Sequence, residues 1–364
     1  MRDRPLHLRH RTGASNPAGR PPDSGNPRSD PGDPADRIPQ PHPADAGGLP
    51  ESGSDAEGAV VTPVTAGAAG PSAASQAVPC EICGNRQHDF RFEKDGYPFL
   101  RCRSCGHWFV PWTDTDQKLF ETYEQNFFSE GAYADYQRDK PALQRNFRRL
   151  VERLRRIQPA GRLFEVGCAY GFFLELAQRR WESEGIDIHG EGIRHARNTL
   201  KVTAREGHFL KVQLPEAHYD WVVMWDTIEH LRNPGDYLDR AARILKPGGR
   251  LALTTGDVGS WMARLQGKRW RLYYPPHHLH YFSRATLGRL LRDRGLEPEV
   301  WTTVGVTRTL DGMLYRLLAD RKPERRRRFY EWLRQRGWTG TGFPITLDVF
   351  DILLVIARKA GGQG

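Results

Sequence analysis

Four of the five cysteines stand in two Cys-x-x-Cys pairs whose spacing suits a bound metal ion. The pairs are Cys80/Cys83 and Cys102/Cys105, with 18 residues between them, and a glycine follows each pair. Zinc prefers four such ligands in a tetrahedron, and a closed four-sulfur site holds a structural rather than a catalytic ion. Two disulfides are the alternative, but they require an oxidising compartment, and the sequence shows no secretory signal. The pattern therefore predicts structural Zn²⁺ in a small module over residues 78–112.

A second chemical pattern is an acidic residue in front of a glycine turn. Residues 162–166 predict a buried strand that contains Glu165, and an apolar helix is predicted from Phe172 onward. A dinucleotide site would carry Gly-x-Gly-x-x-Gly, but Ala169 and Phe172 take the places of its second and third glycines. A carboxylate here suits a ligand that bears positive charge and no phosphate. The turn itself consists of Gly167, Cys168, Ala169, Tyr170 and Gly171.

Acidic residues also end two later predicted strands. Asp187 stands about 20 positions after the glycine turn, where a carboxylate accepts hydrogen bonds from ribose hydroxyls. A strand over residues 219–225 is followed by Asp226 and then by Glu229-His230-Leu231. A helix then leads to the turn Leu245-Lys-Pro-Gly-Gly and a further strand.

Together, these ordered motifs resemble class I S-adenosylmethionine-dependent methyltransferases over about 95 residues. The resemblance implies an α/β fold with a Rossmann-like seven-stranded sheet whose last strand is antiparallel. It implies S-adenosylmethionine as the cofactor, contacted by Glu165, the turn residues 167–171, Asp187 and Asp226. The family often has an aspartate near the adenine after its third strand, where this chain has Gly207-His208-Phe209. The adenine contact therefore stays unassigned.

Two groups of residues are candidates for acting on the methyl acceptor. Glu229 and His230 follow the fourth strand, at the carboxyl edge where open sheets bind ligands, and a histidine there can take a proton near neutral pH. Similar methyltransferases carry a Pro-x-His-x-x-x-Phe-Ser segment after the fifth strand, which maps His278 into the site, and His280 lies two positions later. Structural roles remain an alternative for His278 and His280. Ser283, which ends the segment, is predicted to cap the helix from Thr286 to Arg294.

The amino-acid composition divides the chain into regions that position these residues. Residues 1–77 are rich in Pro, Gly, Ala, Ser and Asp, which predicts a disordered leader. Residues 113–158 predict connecting helices, of which the last is amphipathic with solvated arginines. Residues 159–361 predict the methyltransferase domain, with a basic helical insertion at about 310–345. With the cysteine module, the chain is similar to sugar C-methyltransferases that begin with a zinc ribbon, although it lacks their large C-terminal domain.

The distribution of charge along the chain limits the class of binding partner but does not identify one partner. Residues 1–78 carry 7 Arg against 9 acidic residues, whereas the rest carries 47 basic and 35 acidic residues. This field favours an anionic small-molecule acceptor, possible substrates being a sugar or a nucleotide-linked or lipid-linked saccharide. An RNA base methyltransferase and a non-catalytic scaffold that keeps the fold are the alternatives. The sequence has no apolar run of about 20 residues, so no transmembrane segment is predicted. The expected location is the cytoplasm, and peripheral membrane contact is left open.

Overall fold

The computed structural model describes residues 78–112, 114, 118, 140–319, 323–338 and 344–361. The predicted leader over residues 1–77 and most of the connecting segment before residue 140 lie outside the described residues. Within the described ranges, none of the helices combines the length and apolar character that crossing a membrane requires.

Strands and helices alternate along most of the described chain, as expected for an α/β protein. The strands are β1 (His88–Lys94), β2 (Tyr97–Cys102), β3 (Trp108–Phe109), β4 (Arg162–Val166), β5 (Glu182–Asp187), β6 (Thr203–Glu206), β7 (Tyr219–Trp225), β8 (Leu245–Gly256), β9 (His280–Tyr281), β10 (Leu296–Thr303), β11 (Val306–Thr309), β12 (Pro344–Leu347) and β13 (Ile352–Lys359). The helices are α1 (Lys140–Ile157), α2 (Phe172–Ala177), α3 (Gly190–Asn198), α4 (Pro234–Ile244), α5 (Trp261–Gln266), α6 (Arg284–Arg292), α7 (Leu310–Leu318) and α8 (Glu324–Gln335). Short 3-10 turns lie at Ile228–His230 and Gly267–Arg269.

A seven-stranded sheet forms the centre of the fold from β4 onward, in the order β10-β13-β8-β7-β4-β5-β6. The strands from β4 to β8 are parallel to one another in it. The last strand, β13, lies between β10 and β8 and is antiparallel to both. These observations confirm the predicted Rossmann-like sheet and its antiparallel last strand.

The strand order reverses beside β4, and this reversal locates the candidate site. The chain passes from β4 to β5 and β6 on one side, and then crosses to β7 and β8 on the other. In open α/β sheets, ligands bind outside the carboxyl ends of the strands at such a switch point. The residues that end or follow β4, β5 and β7 therefore border the candidate site.

Helix α1 covers one face of the sheet with the apolar stripe that the sequence predicts. Leu150, Val151 and Leu154 are buried in a core cluster shared with β-strand side chains. Its arginines were predicted to be solvated, and Arg149 is exposed but also makes hydrogen bonds to a later part of the chain. The Arg149 guanidinium donates hydrogen bonds to Thr307 Oγ1 at 3.0 Å and to the Gly305 carbonyl at 2.7 Å. Arg149 therefore anchors the β11–β12 pair, an antiparallel ribbon that the sequence did not predict.

The cysteine module and the catalytic domain share one small sheet. β1 pairs with β2, β2 with β3, and β3 with β9, all antiparallel. Because β9 comes from the segment after the fifth strand of the catalytic domain, the module is part of the same core. Phe99 and Tyr281 are buried there with ring centroids 5.0 Å apart. The helix after β9 begins at Arg284, where Ser283 forms a capping box with Thr286, as its predicted cap role requires.

Candidate active site and cysteine cluster

The turn between β4 and α2 adopts backbone conformations that glycine favours. Gly167 and Gly171 have φ values of 78° and 76°. A Cβ on Gly167 would lie 2.7 Å from Thr227 Oγ1, and a Cβ on Gly171 would lie 2.8 Å from the Cβ of Ala196. Ala169 between them also has a positive φ, 44°, which is strained for a residue with a side chain. The turn is therefore packed too closely for larger residues at its two glycines.

Asp187 at the end of β5 holds this turn in place. Its Oδ2 accepts a hydrogen bond from the Ala169 N–H at 2.8 Å, and its Oδ1 accepts one from the His189 N–H at 2.9 Å. Burial raises the pKa of Asp187, and these hydrogen bonds partly offset the rise. Each carboxylate oxygen can accept more than one hydrogen bond. Asp187 can therefore support the turn and still accept hydrogen bonds from a ligand.

Glu165 lies next to the end of β4 and is 3% exposed. Among the described residues, its Oε2 has no hydrogen-bond partner. Burial raises the pKa of Glu165 well above its usual range, and the charge of Asp187 raises it further. A buried carboxyl oxygen without a partner is costly. A cationic ligand beside Glu165 would offset that cost.

Asp226 follows β7 directly and has a strained backbone, with φ at 48°. Thr254 on the neighbouring strand β8 holds it there. The Asp226 N–H lies 3.0 Å from Thr254 Oγ1, and the same hydroxyl donates to Asp226 Oδ1 at 2.9 Å. The side chain is exposed at the carboxyl edge of the sheet. Strain that is held in this way is common at functional sites.

Three of the four predicted acceptor-side residues come together beside Asp226. Glu229, His230 and His278 each offer a ligand atom, and these atoms lie within 4.8 Å of one another. The two imidazole rings are perpendicular, with centroids 4.7 Å apart. Burial and the charge of Asp226 raise the pKa of Glu229 to about 8, whereas burial lowers the pKa of His230 to about 4. Burial, followed by the charge of His230, also lowers the pKa of His278.

His280, the fourth of these residues, lies on β9, which pairs with β3 of the cysteine module. It is 4% exposed, and its Nδ1 is 3.1 Å from Nε2 of His107, which follows the second cysteine pair. Its Nε2 is 3.3 Å from the Arg232 carbonyl. Both ring nitrogens of His280 thus face protein atoms, which favours the structural alternative that the sequence left open for it.

The structure adds an acidic residue that the sequence analysis missed near the expected adenine position. Glu206 is the last residue of β6 and is paired with Asp187 across the sheet. A Cβ on Gly190 would lie 2.8 Å from Glu206 Oε2, so this carboxylate lies against the start of α3. The sequence analysis considered only the residues that follow this strand, whereas Glu206 is its last residue. His208 is instead 3.1 Å from the Tyr237 hydroxyl.

A cavity of 130 Å³ opens at the same edge of the sheet. Because β13 is antiparallel to β8, the residue before it, Asp351, stands at the carboxyl end of β8. Asp351 accepts hydrogen bonds from Arg271 Nη2 at 2.6 Å and from Trp270 Nε1 at 2.9 Å. Arg271, Arg308 and Asp351 are the charged residues that line the cavity, and the others are aliphatic or Met. None of these residues was singled out from the sequence.

The four cysteines of the predicted metal site converge. Their Sγ atoms lie within 4.8 Å of one another, with Cys80 and Cys105 3.6 Å apart and Cys83 and Cys102 3.5 Å apart. These separations exceed a disulfide bond by far and are close to the roughly 3.8 Å edge of a tetrahedron with 2.3 Å zinc–sulfur bonds. Two turns shape the cluster, since the Gly84 and Gly106 N–H groups donate to the carbonyls of the first cysteine of each pair. The geometry favours four thiolates around one ion over two disulfides.

Comparison with known proteins matches the catalytic region. A sequence model described as a methyltransferase domain matches residues 136–300. A ubiquinone biosynthesis O-methyltransferase of Dechloromonas aromatica is 28% identical over 151 residues, which cover 38% of this chain and 65% of that protein. An S-adenosylmethionine-dependent methyltransferase of Mycolicibacterium smegmatis is 31% identical over 150 residues, which cover 40% of this chain and 56% of that protein. The aligned region therefore covers less than two thirds of the length of each of these relatives.

A solved methyltransferase structure from Thermotoga maritima covers 66% of this chain and 99% of its own, with a TM-score of 0.45 and 19% identity. The family assignment depends instead on the matched domain, the curated relatives and the sheet order with its glycine turn. On these grounds residues 136–300 form a methyltransferase domain of the class I S-adenosylmethionine-dependent type.

Proposed function

We propose that the protein transfers a methyl group from S-adenosylmethionine to a small molecule. The observation that carries the proposal is the unpartnered, buried carboxyl oxygen of Glu165 beside the glycine turn. S-adenosylmethionine offers an ammonium and a sulfonium to such a carboxylate, and its ribose offers two hydroxyls to Asp187. Gly167 adds no side chain to the turn, where a Cβ would meet Thr227. The residues present therefore fit this cofactor.

Methyl transfer sets two tasks for the chain. In the reaction, the acceptor atom forms a bond to the methyl carbon while the carbon–sulfur bond breaks, its electron pair stays on sulfur, and the acceptor gives up a proton. The first task is to align the acceptor, which is worth several kcal/mol in such displacements. The second is to hold or remove its proton, for which Glu229, His230 and His278 supply polar atoms at the carboxyl edge.

The acceptor that we propose is a small anionic molecule. The cavity supports this class because it is lined by two guanidinium groups, Arg271 and Arg308, against one carboxylate, Asp351, which pairs with Arg271. Guanidinium groups bind carboxylates and phosphates with matched geometry. The aliphatic walls of the cavity suit the apolar part of such a molecule. A sugar, or a saccharide linked to a nucleotide or lipid, is the narrower proposal, and it depends on the likeness of the zinc-ribbon arrangement to sugar methyltransferases.

We also propose that the cysteine cluster holds structural Zn²⁺. Four sulfur atoms close to tetrahedral separation leave no open position for a substrate. The ion would join β1, β2 and β3, and through β3 it would support β9. The segment that carries His278 would then depend on the cluster for its position.

The experiment that tests the proposed function is a methyl-transfer assay with labelled S-adenosylmethionine. The acceptor panel includes neutral sugars, nucleotide-linked sugars, hydroxylated aromatic acids and ribosomal RNA. Label transfer to a small acceptor supports the proposal, and transfer to RNA would replace it with the RNA alternative. Cofactor binding by calorimetry without transfer to any acceptor would favour the scaffold alternative.

Cofactor affinity is expected to rise with pH, because burial raises the pKa values of both Glu165 and Asp187. A carboxyl group whose pKa is raised in the folded protein binds more protons there than in the unfolded chain. Protonation at low pH therefore stabilises the folded protein without ligand. A cationic ligand requires the ionised carboxylates, so its binding releases protons and weakens as pH falls. Calorimetry from about pH 8 down to about pH 5 should show a falling affinity. Glu165→Gln should flatten this slope, and an equally steep slope in that variant would remove Glu165 from cofactor binding.

His230→Ala is expected to slow methyl transfer by about 100-fold or more, in the range of positioned acid–base groups. Its affinity for S-adenosylmethionine should stay within about threefold, because Glu165, the glycine turn and Asp187 lie at β4 and β5 and the Asp226 side chain is held by Thr254. Initial rates with the acceptor found in the panel measure the first effect, and calorimetry measures the second. His218→Ala, before β7 at the opposite edge of the sheet, is the matched control. Turnover as fast as that of the unaltered protein would exclude a role for His230.

A further inference from the structure

The residues Glu229, His230 and His278, here called the Glu-His-His cluster, have the composition of a metal site. We propose that this cluster binds a divalent transition-metal ion, separate from the ion of the cysteine cluster. One carboxylate and two imidazoles are a ligand set that suits zinc, iron, manganese and cobalt, with positions left open for other ligands. The three ligand atoms lie within 4.8 Å of one another.

Both imidazoles in the cluster are oriented by backbone carbonyls. His230 Nδ1 is 2.7 Å from the His277 carbonyl, and His278 Nδ1 is 2.9 Å from the Leu272 carbonyl. A carbonyl accepts only, so in a neutral ring each of these Nδ1 atoms carries the hydrogen. Metal-binding histidines are typically held in this way, with the second nitrogen donating to a carbonyl or carboxylate.

Glu229 supplies the charge that the cluster needs. Its side chain is 4% exposed, and its Oε2 has no hydrogen-bond partner among the described residues. A desolvated carboxyl oxygen without a partner is costly, and a cation bound by the imidazoles offsets this cost directly. Glu229 is buried and the two histidines are partly exposed, so the cluster opens toward the crevice rather than lying sealed in the core.

The backbone brings the two contributing segments together before any ion binds. The Leu279 N–H donates to the Glu229 carbonyl at 2.9 Å, which joins the 3-10 turn after β7 to the segment before β9. Ligand atoms around an ion with bonds of about 2.1 Å are separated by roughly 3–4 Å. A small closing movement of the partly exposed rings therefore completes the site. Preorganisation of this kind is what a functional metal site requires.

The role of the ion depends on the proposed function, whereas its binding does not. Three protein ligands leave coordination positions open at the carboxyl edge of the sheet. A cation there would orient an acceptor through its oxygen atoms and favour loss of the hydroxyl proton. The cluster thus points to an acceptor that has a hydroxyl group, with a second oxygen nearby.

Mn²⁺ binding tests the site without any assay of methyl transfer. Mn²⁺ prefers nitrogen and oxygen ligands over thiolates, so protein with a zinc-loaded cysteine cluster is titrated and free Mn²⁺ is followed by electron paramagnetic resonance. We expect one Mn²⁺ to bind per chain. Glu229→Gln and His278→Ala should each weaken binding by roughly 100-fold or more, since even groups that only orient ligands cost 10–100-fold.

A second variant separates the cluster from surface binding. Glu216→Gln/His218→Ala removes one carboxylate and one imidazole before β7, at the opposite edge of the sheet, and should leave Mn²⁺ affinity unchanged. The proposal is overturned if neither Mn²⁺ nor Co²⁺ binds beyond the cysteine cluster, or if Glu229→Gln binds as the unaltered protein does. Methyl transfer that persists in metal-depleted protein would leave the proposed function intact and remove the role given to the ion.

Discussion

Replacing Asp187 with alanine is expected to weaken S-adenosylmethionine binding by about 100-fold, which corresponds to about 2.8 kcal/mol. Hydrogen bonds to a charged group contribute about 1.5–3 kcal/mol each, and the proposed site gives Asp187 the two ribose hydroxyls. The variant also leaves the Ala169 N–H without the acceptor that lies 2.8 Å away in the native chain. The glycine turn therefore loses both a ligand contact and its support. Titration calorimetry of the purified protein measures the change.

Two further variants separate these contributions. Asp187→Asn keeps one acceptor oxygen and the side-chain shape, so it should weaken binding less than alanine does. Glu184→Gln lies on the same strand, where its carboxylate accepts from the Tyr219 hydroxyl at 2.6 Å, away from the glycine turn. This control should bind the cofactor as the native protein does. Asp187→Ala that stays folded and binds within threefold of native would refute the assigned cofactor site.

Sequence patterns were sufficient for the sheet because its central strands are buried on both faces. β13 is apolar at six successive positions and all six are buried, as a strand between two layers requires. The glycine turn and the acidic residues at the ends of β4 and β5 were also predictable, because a close backbone and a carboxylate leave local signals. Contacts between distant segments were not. Nothing in the local sequence indicates that Arg149 bonds to the Gly305 carbonyl or that β3 pairs with β9.

The same distinction explains why two of the histidines predicted to be catalytic lie in different places. His278 and His280 are two positions apart in one segment, so their spacing alone assigned them similar prospects. The structure separates them because the intervening chain becomes β9. His278 lies beside His230, whereas His280 lies against His107 of the cysteine module. A pairing with a module far away in the chain places the two rings in different surroundings, and such pairing leaves no periodic signal.

Cys102→Ser is expected to lose bound zinc and to lower the free energy of unfolding by about 3–5 kcal/mol, since loss of a metal belongs to the largest single-residue effects. Zinc binding in small modules contributes directly to folding. Cys102 is 1% exposed and belongs to the core cluster that includes Phe282 of the catalytic domain. The loss should therefore reach the main domain. Metal analysis and thermal unfolding measure both changes.

The matched control is Cys168→Ser, because Cys168 is the cysteine outside the cluster and is also buried. It should keep the full zinc content. In Cys102→Ser, methyl transfer should fall more than cofactor affinity, since β9 joins the module to the His278 segment while Glu165 and Asp187 lie on other strands. Full zinc content in Cys102→Ser would contradict the four-cysteine site. An equal loss of cofactor affinity and turnover would instead indicate that the module supports the whole sheet rather than the acceptor side.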